Sequence, residues 1–123
     1  MSEQVQIQWY GQPEEHDYPA ALSYLSLMYD GKTAAGYVEK LKQAGMTTFK
    51  AKDIFRASGL SLLGVSNSHV DKDRKKIHDG HKLSPLLIVR DNDHRRLIIA
   101  DGYHRLCAVY SVDEDALIPC KIV

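Results

Sequence analysis

The sequence has few cysteines and lacks both a long apolar run and the features of an export signal. Its 123 residues include two cysteines, Cys107 and Cys120, which are too few for a disulfide framework and fit a reducing compartment. No apolar stretch approaches the roughly 20 residues that a membrane-spanning helix needs. The first ten residues have neither the basic start nor the apolar segment of a signal peptide. We therefore expect a cytoplasmic protein without a membrane partner.

The sequence also lacks net charge, because its 16 lysines and arginines equal its 16 acidic residues in number. A neutral chain has no overall field that would hold it on nucleic acid without sequence specificity. The charges are nevertheless uneven: only acidic residues precede Lys32, lysines and arginines concentrate from Lys32 to Arg105, and 113–115 is acidic again. This distribution allows two interpretations, a self-complementary surface or a basic face that binds an anion.

Residues 1–46 have the pattern of one strand and two helices. Alternating apolar residues predict a strand over 5–9, and apolar residues three or four apart predict helices over 17–29 and 33–45. Asp17 is the predicted cap of the first helix and Gly31 its predicted end. The residues expected on the buried faces of these helices are Tyr18, Ala21, Leu22, Leu25, Met28, Ala34, Tyr37, Val38, Leu41 and Ala44.

Residues 47–123 alternate strand and helix patterns. TTFKAKDIF predicts a strand that runs into a short turn, and SNSHVDKDRKKIHDG predicts a helix capped by Asn67 or Ser68 and ended by Gly80. LSPLLIVR and RRLIIA, joined by the turn DNDH, predict an antiparallel hairpin. The helix YHRLCAVYSV and the strand LIPCKIV follow. This strand–helix–strand order predicts a right-handed crossover into the same sheet.

These elements predict one domain of the α+β class. The expected architecture is a mixed β-sheet with flanking helices, formed by residues 47–123, with residues 1–46 as an N-terminal extension. A chain of this length buries roughly two thirds of the surface that its unfolded form exposes, which is enough for a hydrophobic core.

The sequence ADGYHR, residues 100–105, is the main functional signal. A predicted strand ends at Asp101–Gly102 and a helix begins directly after it, so the first amides of that helix lack partners within it and carry the positive end of its dipole. Gly102 would let a phosphate approach the backbone, and His104 and Arg105 add side-chain donors. An arginine at a helix start is unfavourable for the helix itself, because cations are stabilised at the opposite end. The pattern therefore predicts an anion-binding site.

A purely structural interpretation of the same residues stays open. Arg105 would pair with Asp101 or with the acidic residues of 113–115, and His104 would cap a loop. Tyr103 would either close over a ribose or fill the surface of the domain.

Three segments taken in order, LSPLLIV, RRLIIADGYHRLCAVY and LIPCKIV, resemble the ParB/sulfiredoxin superfamily. Its members have a strand that begins with proline, a Gly-x-His-Arg or Gly-x-x-Arg turn, a helix rich in small residues and a final strand with Ile-Pro. The resemblance covers residues 47–123. It implies that the turn binds nucleotide phosphates, as it does with ATP in sulfiredoxins, CTP in partition proteins, and ATP or ADP in free-serine kinases.

By this resemblance Gly102, His104 and Arg105 form the phosphate cradle. Asp101 and Tyr103 complete the predicted ligand site, and His104 and Asp101 are the candidates for a catalytic role.

The helix that precedes the hairpin adds three further candidates. His69, Lys72 and Lys76 share one of its faces at helical spacing and would reach the same ligand. A solvated basic face is the alternative interpretation of these three residues.

The chain departs from the known branches of the superfamily. Sulfiredoxins have their attacking cysteine immediately before His-Arg, where this chain has Tyr103, and Cys107 is expected to pack against the sheet instead. Sulfinic-acid reduction is therefore not expected. Partition proteins have a DNA-reading helix-turn-helix after this domain, whereas the sequence ends at Val123, so sequence-specific DNA binding in cis is not expected either. For the catalytic carboxylate of a free-serine kinase, the candidates are Glu14, Glu15 and Asp17.

No metal site made by protein ligands alone is expected. Asp and His lie close together in HDGH, DNDH and DGYH, but these fall on a helix end, a turn and a helix start, which do not form a ligand set. Asp101 would help to hold Mg²⁺ that is bound to nucleotide phosphates.

We therefore expect binding of ATP, ADP, CTP or another phosphorylated small molecule, with Mg²⁺. Whether the protein also hydrolyses the nucleotide or transfers a phosphoryl group stays open. One alternative is a non-catalytic interaction module whose N-terminal helices form a homodimer or bind a protein partner. The other is a DNA-associated or nuclease-type ParB-like protein, against which the zero net charge argues.

Overall fold

A computed structural model describes residues 6–64 and 67–123 of the chain. In chain order, the elements of these residues are β1 (Gln8–Trp9), α1 (Asp17–Leu25), α2 (Gly31–Gln43), β2 (Thr47–Lys50), α3 (Ala51–Ser58), α4 (Ser68–His78), β3 (Lys82–Leu83), β4 (Leu86–Asp91), β5 (Arg96–Asp101), α5 (Tyr103–Val112) and β6 (Leu117–Ile122). Val5 of the predicted first strand and Ser66 of the helix predicted in SNSHVDKDRKKIHDG lie outside the described residues. The predicted α+β class is confirmed.

The main sheet has four strands in the order β2-β6-β4-β5. β4 and β5 form the predicted antiparallel hairpin, in which Val89 lies opposite Ile98. β6 enters the same sheet, as predicted, but it lies beside β4 and parallel to it. Because β6 therefore runs antiparallel to β5, the handedness rule for parallel crossovers does not apply to the β5–α5–β6 connection. The short strands β1 and β3 form a separate parallel pair.

Both faces of the main sheet are covered by helices. In β4, Leu86 and Ile88 point to the face that packs on α3, α4 and α5. Leu87 and Val89 point to the opposite face, which packs on α1 and α2. All four side chains are fully buried, and burial of a large aliphatic side chain contributes roughly 1.5–3 kcal/mol. The continuous apolar run of this strand is therefore explained by burial on both sides.

The first helix differs from its prediction at both ends. Its N-cap is His16, because the Asp17 carboxylate turns back and accepts a hydrogen bond from the Glu14 amide at 2.9 Å. The helix ends at Leu25, and Gly31 begins α2 behind the capping residue Asp30. Met28, expected to be buried, therefore lies beyond the helix and is 42% exposed, while Leu22, also expected to be buried, is 36% exposed within it.

The third helix was not predicted, since KAKDIF was interpreted as a strand end and a turn. Ala51, Ile54, Phe55 and Ser58 have helical spacing and face the core, and Gly59 ends the helix at a φ of +68°. The predicted cap Asn67 and the end of α4 near Gly80 are confirmed. None of the helices formed by the described residues is long and apolar enough to cross a membrane.

Candidate functional site

The turn from β5 into α5 is built around Gly102. Its φ of +108° lies in the left-handed region, which side chains disfavour. A Cβ at this position would lie 2.8 Å from Cγ of Leu86 and 2.9 Å from Nη2 of Arg105. The glycine is therefore required by the fold itself, and its presence does not depend on a phosphate that approaches the backbone.

Arg105 lies in the first turn of α5 and reaches back to the end of β5. Its Nη2 donates to Oδ2 of Asp101 at 2.9 Å and to the carbonyl oxygen of Pro85 at 3.5 Å. The pairing with Asp101 that the structural interpretation predicted is thus present. The alternative prediction, that Arg105 pairs with the acidic residues 113–115, is wrong. Arg105 pairs with Asp101, and Oδ1 of Asp115 lies 2.7 Å from Nζ of Lys52.

Two polar groups at this helix start keep unused donor capacity. The Nε of Arg105 is buried and has no hydrogen-bond partner among residues 6–64 and 67–123. No side chain of that part of the protein caps the start of α5. The first amides of α5 therefore retain donors that a ligand can accept from, whereas Nε of Arg105 lies below the surface.

Helix α4 lies alongside the start of α5. Its first turn is fixed by Asn67, whose side-chain oxygen accepts hydrogen bonds from the amides of His69 and Val70. Val70 and Ile77 are buried against the core, and the neighbouring stripe of the helix lies beside the end of β5. The rings of His69 and His104 come within 4.9 Å of each other, measured between centroids.

A pocket of about 250 Å³ lies between these two helices. Its lining residues are His69, Lys72, Asp73, Lys76, Asp101, Gly102, Tyr103, His104 and Arg105. The structure therefore brings all eight predicted ligand residues together in one place. We call this cavity the α4–α5 pocket.

Asp73 is the lining residue that the sequence interpretation missed. It lies four residues after His69 and three before Lys76, so helical spacing alone puts it on the predicted face. Only the basic side chains of that face were predicted to reach the ligand. Asp73 is half-buried, and no ion pair within 4 Å involves it in the described part of the chain.

The electrostatics of the α4–α5 pocket favour neutral forms of its acids. Burial raises the pKa of Asp73. Burial also raises the pKa of Asp101, with nearby Asp17 acting in the same direction and Arg105 opposing. Burial, assisted by His69 and Arg105, lowers the pKa of His104 below its ordinary 6.5. The imidazole is therefore mainly neutral at pH 7, whereas Lys72, Lys76 and Arg105 supply positive charge.

The other residues singled out in the sequence pack in the fold or lie outside the pocket. The Tyr103 hydroxyl donates to the carbonyl oxygen of Ser61, and its ring packs against the core. Cys107 and Cys120 are fully buried, and burial raises the pKa of the Cys120 thiol to about 11. Glu14 and Glu15 do not line the pocket, while Asp17 is buried beside Asp101.

No cluster of three or more metal-ligating side chains is found within residues 6–64 and 67–123. No family model matches the sequence, and neither does any curated protein or solved structure. The resemblance to the ParB/sulfiredoxin superfamily therefore rests on the motifs of residues 47–123 alone.

Proposed function

We propose that the α4–α5 pocket binds the phosphate groups of a nucleotide or of another phosphorylated small molecule. The observation that carries the proposal is the convergence of Lys72, Lys76 and Arg105 on the open N-terminal end of α5. Membership of the ParB/sulfiredoxin superfamily, with ATP, ADP or CTP as the ligand, is part of the same proposal.

The donors in the pocket fit a phosphate. Asp101 holds the guanidinium of Arg105 in place, and the first amides of α5 supply further donors. A hydrogen bond to a charged group contributes about 1.5–3 kcal/mol. Three or four such bonds support micromolar affinity, which corresponds to about 8 kcal/mol.

The size of the pocket indicates which part of a nucleotide it holds. Its volume of about 250 Å³ is below the roughly 300–1,000 Å³ of pockets that enclose a whole drug-sized ligand. Its lining is charged and polar, which suits phosphates and a sugar better than a base. We therefore place the base outside the pocket and expect little discrimination between ATP and CTP.

Mg²⁺ bound to the phosphates is compatible with the residues present. Asp101 is engaged with Arg105, so Asp73 is the carboxylate better placed to supply an oxygen ligand. The ion would neutralise phosphate charge, and its presence should strengthen binding of the nucleotide. Hydrolysis or phosphoryl transfer, with His104 and Asp101 as candidates, is a further step that phosphate-release assays would detect.

Calorimetric titration with ATP, ADP, CTP and pyrophosphate, with and without Mg²⁺, tests the proposal. Lys72→Ala and Lys76→Ala should each weaken binding about threefold to tenfold. Lys75→Ala is the matched control, because Lys75 lies on the same helix, is bound to Asp71 and does not line the pocket. Absence of binding to all four ligands, or equal losses in all three variants, would refute the proposal.

A second candidate function is a protein-interaction module that uses the N-terminal helices. Leu27 is 84% exposed, and Leu22, Tyr24 and Met28 beside it are each more than one third exposed. Such a cluster of apolar side chains marks a contact surface in many proteins. Light scattering on the wild-type protein and on Leu27→Ser tests for a homodimer, and a monomer in both excludes that arrangement.

A further inference from the structure

A second concave region lies at the other end of the main sheet, away from the α4–α5 pocket. Two cavities of about 200 and about 230 Å³ meet there, and both are lined by Ala57, Arg90 and Leu97. Together they reach the size range of small-molecule sites, roughly 300–1,000 Å³. We call this region the Arg90 groove.

The walls of the 230 Å³ cavity are mainly apolar because α3 is too short to cover this end of the sheet, whereas the 200 Å³ cavity is lined mainly by charged and polar side chains. The helix ends at Ser58, and Gly59 turns the chain away. Ile54 closes the floor, while Leu97 and Ile122 of the sheet stay partly accessible and Phe49 is 43% exposed at the edge. These side chains come from four different elements, so the groove is a product of the fold.

Arg90 interrupts this apolar lining with a positive charge. It follows Leu86 and Ile88 in the alternation of β4 and therefore points to the same face of the sheet. Among the described residues no carboxylate lies within 4 Å of its guanidinium: Asp91 binds His94 and Arg96, and Asp53 binds Arg56. Arg95 lines the same end of the groove.

We infer that the Arg90 groove binds a small carboxylate whose body is apolar, such as an arylalkanoate. A guanidinium grips the two oxygens of a carboxylate in a bidentate manner, and the adjoining walls bury the apolar part of the molecule. The inference is independent of the proposed phosphate site, because the two regions share no residue.

Two ligands that differ only in their head group test the inference. We would titrate the full chain, labelled with ¹⁵N, with 4-phenylbutyrate and with 4-phenylbutanol and follow the amide resonances. The acid should bind at least tenfold more tightly than the alcohol. Its shifts should map to Ile54 and Leu97 and leave Gly102 and His104 unchanged.

Substitution of the arginine then tests the charge directly. Arg90→Met replaces the unbranched stem of the side chain but not its charged end and should abolish the preference for the acid, whereas Arg74→Met, on α4 and outside both cavities, should preserve it. Arg95→Met should reduce the preference severalfold, which keeps the test valid if Arg90→Met fails to fold.

Three outcomes would overturn the inference. The first is equal affinity for the acid and the alcohol in the wild-type protein. The second is a set of shifts that maps to the α4–α5 pocket. The third is a dimer in light scattering whose interface, mapped by concentration-dependent resonances, covers Phe49 and Leu97. Failure of nucleotide binding would leave all three readouts unaffected.

Discussion

Gly102 imposes the strictest local requirement in the candidate site. Gly102→Ala forces a Cβ into a backbone with φ of +108° and to within 2.8 Å of Leu86. We expect a loss of at least about 2 kcal/mol in the free energy of unfolding, from backbone strain and overpacking. The same Cβ would displace Nη2 of Arg105, so phosphate affinity should fall as well. Urea denaturation and calorimetry measure the two effects.

Gly36→Ala is the matched control for this substitution. Gly36 lies within α2, and apart from its chain neighbours and the backbone of its own helix no atom of the described residues lies within 4 Å of the position its Cβ would take. Alanine is the better helix former, so this variant should be as stable as the wild type or more stable by up to about 1 kcal/mol. Equal losses in the two variants would contradict the account of Gly102.

His104 should make both stability and ligand binding depend on pH. Its pKa is lowered in the fold by burial and by His69 and Arg105, while Asp73 opposes. The folded state therefore prefers neutral imidazole, and its stability declines as pH falls through 6.5 towards the lower folded pKa. A bound phosphate prefers the charged form. The affinity of the protein for a phosphate ligand should consequently rise as pH falls from 8 to 6.

His104→Gln isolates this effect. Glutamine keeps a hydrogen-bonding side chain but does not titrate, so the rise in affinity between pH 8 and 6 should become shallower. The ligand's own titration is common to both proteins and cancels in the comparison. Identical pH profiles for the two proteins would exclude His104 from contact with the anion.

The residues of the turn could be predicted from the sequence because they are contiguous. Strand, glycine, histidine and arginine follow one another, and local rules for helix starts suffice to place them together. The Arg105–Asp101 pair, separated by one helical turn, was weighed as an alternative for the same reason. Asp73 was missed although helical spacing places it on the predicted face of α4, because only basic side chains were expected around a phosphate.

At the level of elements, α1 and α2 are part of the core and do not form an independent layer. Leu87, Val89, Ile98 and Ala100 of the sheet pack against them, and each is at most 6% exposed. A chain limited to residues 46–123 would expose this whole face to water. We expect it to lose cooperative urea unfolding and to aggregate, which circular dichroism and light scattering would show.

Two leucines within the N-terminal part provide a control for that experiment. Leu41→Ala removes a fully buried side chain and should cost about 2–5 kcal/mol. Leu27→Ala removes one that is 84% exposed and should change stability by less than about 0.5 kcal/mol. A stable, cooperative 46–123 fragment, or a neutral Leu41→Ala, would contradict this description of the core.

The success of sequence prediction also varied between elements. The hairpin, α5 and β6 were predicted because apolar runs and turn residues agree there. The predicted end of α1 was wrong, because Gly31 was interpreted as the residue that stops the helix. Asp30 instead caps α2, and its side chain accepts a hydrogen bond from the Thr33 amide at 2.8 Å. The partner of β6 could not be predicted, since pairing between distant strands depends on the packing of both faces of the sheet.

On the scale of the whole molecule, the absence of net charge means that phosphate binding must depend on local charges. Lys72 and Lys76 are exposed, so their attraction for phosphate is open to screening. We expect ADP affinity to fall several-fold between 50 and about 500 mM NaCl, and to fall less in Lys72→Ala. An affinity that does not respond to salt would show that these lysines do not contribute.

Amide chemical-shift mapping with ADP tests the central claim most directly, because it reports both whether an anion binds and where. The account predicts saturable shifts at Gly102, Tyr103, His104 and Arg105 and along the His69–Lys76 face of α4, with a Kd in the micromolar range. These shifts should weaken in Lys76→Ala and persist in Lys75→Ala. Shifts that fail to saturate, or that map away from the start of α5, would contradict the claim that this turn is an anion site.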